Sequence, residues 1–230
     1  MNANRRTAII VGVLFITATV TAILGMGVLG STLDAPDYLV NVSEHENQVI
    51  VAVIFELILA VSVLGIGCMM FPILKGHIES LALGYVVIRL TEAAFIMVAS
   101  ISLLALLTLS QEYAAGASDA ADYQASGALL LALRDWAFVI GTLIFLGLGG
   151  LALYYILYQS KLIPRWLSGW GLIGATLILL TGLLGFFGLS LESTTTTILA
   201  APIALQEMVF AVWLIVKGFN PSATISGSAK

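Results

Sequence analysis

Residues 49–71 read VIVAVIFELILAVSVLGIGCMMF, twenty-three positions with Glu56 as the only charged one. About 20 apolar residues in a helix cross the roughly 30 Å of hydrocarbon in a bilayer. A segment alone in lipid must satisfy its own backbone hydrogen bonds, so this stretch is expected to be a transmembrane helix. Five further runs of the same kind lie outward from it: 7–29, 81–109, 129–158, 167–189 and 198–216. With 60% hydrophobic and 10% charged residues and a mean hydropathy of +1.08, the chain is far more apolar than a water-soluble domain. The expected fold class is all-α, a six-helix transmembrane bundle whose partner is the lipid bilayer. Arg5 and Arg6 precede the first run as in a signal peptide. The run is too long for one and no small-x-small cleavage site follows it, so a retained helix is expected.

Basic residues fix the expected orientation. Arg5, Arg6, Lys75, Lys161, Arg165, Lys217 and Lys230 fall at the N-terminus, in the second and fourth connections, or in the C-terminal tail. Basic segments prefer the cytoplasmic side during insertion, which predicts cytoplasmic N- and C-termini. The other three connections hold Asp34, Asp37, Glu44, Glu46, Glu112, Asp119, Asp122 and Glu192, so the acidic loops are expected outside. Of these, Ser31 to Gln48 and Ser110 to Ala128 are long enough to fold over the outer mouth. Pro164, Arg165, Trp166 and Trp170 read as an interfacial anchor, with proline opening a helix and the indoles at the aromatic belt. Residues 1–219 are expected to form a single transmembrane domain. Residues 220–230, rich in Ser, Ala and Gly, are expected to be a disordered cytoplasmic tail.

Composition excludes several functions. A net charge of −4, a pI near 5.0 and singly spread Lys and Arg leave no basic surface for nucleic acid. The single cysteine, Cys68, allows no intramolecular disulfide and no multi-cysteine zinc site, and is expected to be a small core residue. Glu44, His45 and Glu46 are consecutive and cannot all point at one ion in regular structure, so no metal is expected, and no cofactor. Both histidines, His45 and His77, lie in connections, which disfavours histidine-assisted serine proteolysis and histidine-zinc hydrolysis within the membrane. Asp135 is the only aspartate inside a run, which disfavours a paired-aspartate mechanism. Gly147, Gly149, Gly150 and Ala152 imitate a dinucleotide fingerprint but follow no strand. They read as close-packing surface, as do Gly171 with Ala175 and Gly182 with Gly185. Such faces pack within one chain or between two, so a homodimer is open.

Six charged residues lie inside the runs: Glu56, Arg89, Glu92, Arg134, Asp135 and Glu207. A charge at mid-bilayer costs about 2.5 to 3.5 kcal/mol on insertion scales, so each is expected to face protein or trapped water. Tyr85, Arg89, Glu92 and Ser100 share one helical stripe, and Arg89 and Glu92 are an i, i+3 pair. Glu56 shares its face with Ala52, Ala60 and Gly67, small residues that admit a neighbouring helix. Glu207 follows Gln206, and Pro202 removes a backbone hydrogen bond one turn earlier. Arg134 and Asp135 sit nearer the outer boundary. Four carboxylates against two guanidiniums leave two positive charges missing. Either a carboxyl carries a proton at neutral pH or a cation supplies the difference. Glu92-Ala-Ala-Phe95 also has a faint echo in Glu207-Met-Val-Phe210, of the kind that inverted repeats produce, though so short a match arises easily by chance.

The candidate ligand- or ion-binding residues are therefore Glu56, Arg89, Glu92, Arg134 and Glu207, with Tyr85, Asp135 and Gln206 secondary; no catalytic residue is assigned. The leading expectation is binding or transport of a proton, cation or small polar solute, with Glu56, Arg89, Glu92 and Glu207 at the midplane and Arg134 neutralising from above. The alternatives are an intramembrane enzyme acting on a lipid or isoprenoid and a structural or accessory subunit. In the enzyme, a carboxylate would be the base and an arginine would hold a phosphate. In the accessory subunit, the charges would only glue helices together.

Four stretches carry a family likeness: Phe71-Pro72, LALGYVVIRLTEA at 81–93, LYQSKLIPRWLSGWGLIGA at 157–175 and QEMVFAVWLIVKGF at 206–219. Together they resemble the bacterial domain-of-unknown-function family 4386. The resemblance covers most of the chain apart from Ser31 to Gln48 and Ser110 to Ala128. It implies a bacterial multi-helix membrane protein, hence a multi-pass place in the inner (plasma) membrane. The family has no assigned activity to transfer, so the buried charges gain no role from it.

Overall fold

A computed structural model describes residues 3–116, 120–187 and 193–223. Six helical spans are long and apolar enough to cross a membrane: Ala3–Leu29, Glu46–Leu74, Glu79–Ala114, Ala120–Ser160, Arg165–Phe186 and Thr195–Val216. They contain the six apolar runs except for the end of the fifth, where Phe187 follows the helix and residues 188 and 189 lie outside the described residues. In element terms the helices are α1 (Ala3–Leu29), α2 (Tyr38–Glu44), α3 (Glu46–Leu74), α4 (Glu79–Ala114), α5 (Ala120–Phe138), α6 (Leu146–Ser160), α7 (Arg165–Phe186) and α8 (Ser193–Val216). A π-helical segment, Val139–Phe145, joins α5 to α6 within the fourth span. No strand occurs among the described residues.

The spans close a ring in which α1 packs on α3 and α8, α3 on α4, α4 on α5 and α6, and α6 through α7 to α8. Glycines set how closely these helices approach. A Cβ on Gly12 would lie 2.7 Å from the Ala211 carbonyl oxygen, and one on Gly174 2.9 Å from the Ile203 backbone. Gly147 meets Leu179, Gly150 meets Ala175 and Gly182 meets Leu143 and Ile144 in the same way. The glycine faces of the fourth and fifth spans are thus filled from within the chain. Ile23, Val61, Ile101, Leu129 and Ile173 point outward, as helices in contact with lipid require. Cys68 is exposed on α3 as well, contrary to the expectation of a core residue: Gly67 beside it turns to the bundle and Cys68 to lipid.

Both described ends lie on one face of the bundle. Arg5 donates from Nη1 to the Leu214 carbonyl at 2.9 Å, and from Nη2 to the carbonyls of Ile215 and Val216. The last carbonyls of a helix have no intrahelical donor and carry its negative dipole end, so a guanidinium is a fitting cap. Gly218 then takes φ +76°, which turns the chain back. The Asn220 amide donates to the Leu162 carbonyl at 2.9 Å, and Phe219 and Ala223 are buried. The segment expected as a loose tail therefore begins docked against the α6–α7 turn, while residues 224–230 lie outside the described residues.

On the far face, the two long connections are largely helical. Leu39 and Val42 of α2 bury with Val49, Leu103, Leu106 and Leu107. Tyr38 Oη donates to the Gln124 carbonyl at 3.0 Å, and His45 Nδ1 pairs with the Asn41 carbonyl at 2.8 Å where α2 passes into α3. Their own apolar residues draw these connections onto the far ends of α3 and α4. Asp119 and Glu192 lie outside the described residues.

Candidate functional site

Arg89 is ten residues into α4 from Glu79 and Glu207 is nine residues from Val216. At 1.5 Å per residue both lie about 14 to 15 Å from the face that bears the termini, half of a 30 Å hydrocarbon layer. Arg89, 2% exposed, is held by hydrogen bonds through Nε and Nη1. Its Nε donates to Tyr85 Oη at 3.1 Å, and its Nη1 donates to both Glu92 carboxylate oxygens at 3.1 and 2.9 Å. The i−4 and i+3 neighbours on one helix are the positions that helical geometry brings alongside. Glu207 approaches from α8, its Oε1 3.8 Å from Arg89 Nη2. The rings of Tyr85 and Phe15 stand 5.4 and 5.9 Å from the guanidinium carbon, so aromatic faces flank the cation.

Small residues make the slot. A Cβ on Gly67 of α3 would lie 3.1 Å from Arg89 Cβ, and one on Gly149 of α6 would lie 3.2 Å from Ile88 and 3.7 Å from Arg89 Nε. Below the arginine, fully buried Tyr154 lies on Gly171, where a Cβ would be 2.5 Å from the ring, and packs edge-on against Phe210 at 5.9 Å. Gln206, also fully buried, donates from Nε2 to the Leu167 carbonyl at 3.1 Å. Arg89 Nη2, Tyr154 Oη and Gln206 Oε1 are buried without a hydrogen-bond partner.

Glu56 is not part of this cluster. It receives Ser100 Oγ at 2.7 Å and Arg134 Nη1 at 3.3 Å, and Arg134 Nη2 completes the ion pair. Arg134 Nη1 also donates to the Ala99 carbonyl at 3.0 Å. Ser100 is eleven residues from Arg89 on α4, and Glu56 eleven from Gly67 on α3, which places this second pair about 16 Å towards the far face. The expected stripe of Tyr85, Arg89, Glu92 and Ser100 is thus shared between two sites. Between them lies an apolar layer of Ala60, Val63, Ala93 and Ile96. Asp135 is exposed and belongs to neither site.

The charge count changes with this division. The Glu56–Arg134 site balances by itself, while the midplane site has one guanidinium for two carboxylates. Phe15, Tyr154 and Phe210 belong to the midplane site and were not among the sequence candidates. A tyrosine near the end of an apolar run reads as an interface residue, and only its fit on Gly171 reveals it as an internal one. Among the described residues, no three His, Cys, Asp or Glu side chains converge as a metal site would need.

No curated protein and no solved structure matches this chain. Residues 10–218 match the family described as Domain of unknown function (DUF4386), and this span takes in all six helical spans' cores and both ion-pair sites. The chain is a multi-pass membrane protein of that family.

Proposed function

We propose that this protein binds a proton within the membrane at the Arg89, Glu92 and Glu207 cluster, and that uptake and release there serve movement of a proton or a proton-coupled solute. One observation carries the reading: a single guanidinium faces two carboxylates at mid-depth. Glu92 is hydrogen-bonded through both oxygens, and Glu207 stands at 3.8 Å. With all three ionised, one negative charge is unmatched in a medium that penalises it, and a proton on one carboxyl removes it. Glu207 has the weaker hold on Arg89 and is the group that exchanges. Arg89 and Arg134 are both engaged by carboxylates, which leaves neither guanidinium open to a lipid phosphate and sets the enzymatic reading behind this one.

The basic residues Lys75, Lys161, Arg165 and Lys217 support placing the termini face in the cytoplasm and the acidic loops outside, in a bacterial inner membrane. The test is infrared titration of the reconstituted protein between about pH 5 and 9, through the usual working range of perturbed carboxyls. A carboxyl C=O band that appears on acidification and is lost in Glu207→Gln is the expected result. No titrating band, with proton flux unaltered in Glu92→Gln and Glu207→Gln, would refute the reading.

A further inference from the structure

We propose that a crevice open to the face of the acidic loops reaches Glu207, and that its carboxyl exchanges protons with that side and not with the face bearing the termini. The proposal rests on the proton-binding reading for its purpose; its geometry stands on separate observations.

The Glu207 side chain is 13% exposed, although Arg89 beside it is sealed. That exposure does not face lipid. Two residues turn a helix by about 200°. Leu205 and Val209, two positions before and after Glu207, are both exposed on the outside of α8. Glu207 therefore points the opposite way, into the ring, where it meets Arg89.

Four other helices show the same signature nearer the far face. Glu56 lies between exposed Ile54 and Ile58 on α3, Ala99 between exposed Met97 and Ile101 on α4, and Arg134 between exposed Ala132 and Trp136 on α5. On α1, Ala18 stands two positions from exposed Val20. All four residues thus point inward. Yet Ala18 and Ala99 each keep 9% exposure, and the Glu56 and Arg134 side chains 17% and 16%. Accessible groups that point inward from five helices of one ring border a common space.

The space is continuous in height. At 1.5 Å per residue, Glu207 lies about 14 Å from the termini face, Ala18 about 22 Å and Ala99 about 30 Å, level with Arg134, which donates to the Ala99 carbonyl. Beside Arg134, at the top, Asp135 is exposed. The apolar seam of Ala60, Val63 and Ala93 is buried where α3 meets α4, so it forms a wall of the crevice and not a floor across it.

Below Glu207 the interior is shut. Leu157, Leu162, Leu167, Phe210 and Leu214 have no exposure and belong to one apolar cluster. A charge crossing that packing would pay the penalty of burial in hydrocarbon, whereas the crevice lets a proton arrive from the acidic side. The titratable and charged groups facing Glu207 are Tyr85, Arg89 and Glu92 from α4 and Tyr154 from α6.

The experiment uses the full chain in sealed vesicles of one orientation, in a Cys68→Ser background, with silver ion as a small thiol probe. Glu207→Cys leaves Arg89 paired with Glu92 and puts a thiol where the carboxyl stood. That thiol should be lost to silver added on the acidic face and kept when silver is added on the termini face. Leu214→Cys should be kept from both sides. A Glu207→Cys thiol that survives silver on the acidic face, or is lost as fast from the termini face, overturns the proposal. If Glu207→Cys does not fold, Ala18→Cys, outside the ion cluster, decides by the same two outcomes. Infrared titration of the unsubstituted Glu207 separates this proposal from the reading beneath it. A titrating Glu207 with an unreactive thiol at 207 removes the crevice and leaves proton binding; a reactive thiol with a Glu207 that does not titrate keeps the crevice and removes proton binding.

Discussion

Glu207 stands 3.8 Å from Arg89 across the α4–α8 interface, while Glu92 holds the same guanidinium at 2.9 Å from within α4. One cation is thus bonded firmly to a carboxylate of its own helix and loosely to one brought by another. The proton exchange proposed for Glu207 rests on that inequality.

Removing the cation should be the most damaging change in the chain. Arg89→Met leaves two carboxylates buried without a counter-charge, and breaking such a pair typically costs about 3–5 kcal/mol. Thermal unfolding in detergent should show a large loss for Arg89→Met and substantial recovery in the triple variant Arg89→Met, Glu92→Gln, Glu207→Gln. Equal stability of the single and triple variants would mean that the charges do not meet.

The second ion pair should matter less. The side chains of Glu56 and Arg134 are 17% and 16% exposed, so solvent and headgroups screen them more than the midplane trio. Glu56→Gln and Arg134→Gln are each expected to cost about 1 kcal/mol, near the upper end for partly exposed pairs. Their effects should fall short of additive in a double-mutant cycle, as for residues in contact. Additive losses would dissolve the pair.

Glycine substitutions should separate by position. Gly171→Ala puts a methyl 2.5 Å from the Tyr154 ring, which has Phe210 against it, and is expected to cost about 1–3 kcal/mol as overpacking does. Gly169→Ala, two residues away in the same helix with nothing within 4 Å, should be neutral or stabilising by up to about 1 kcal/mol. Matching melting curves for the two variants would remove the tight seat assigned to Tyr154.

The Arg5 clasp gives a fourth expectation. Arg5→Gln withdraws donors from the carbonyls of Leu214, Ile215 and Val216 at the end of α8. Loss of such a terminal interaction is worth about 1 kcal/mol and acts locally. Backbone hydrogen exchange should accelerate at Lys217 and Gly218 with little change at Arg89 or Glu92; uniform acceleration would argue against a local cap.

The spans could be read from sequence because length and hydropathy decide a membrane crossing almost alone, and all six were legible. The faces of the charged residues were legible too: Glu56 does share the α3 face of Gly67, which meets Arg89. Height was not. Helical period fixes azimuth, and eleven residues return to the same face about 16 Å higher. Glu56 shares its face with Gly67 but stands eleven residues from it, so placing it at one depth with Arg89, Glu92 and Glu207 overlooked the rise along α3. The helix α2 was hidden for another reason. Tyr38, Leu39 and Val42 are too few to signal a periodic segment, and their burial depends on Leu103 and Leu106, some sixty residues away.

The ring closed between α1 and α8 has a bearing on biogenesis. The ribosome delivers Arg89 and Glu92 together, as a neutral pair on one helix, whereas Glu207 arrives only with the sixth span. A nascent chain of five spans therefore carries balanced charge at mid-depth. The extra acid joins once α8 has threaded between α7 and α1 and its end has been seized by Arg5, which lies ahead of all the other charges named here.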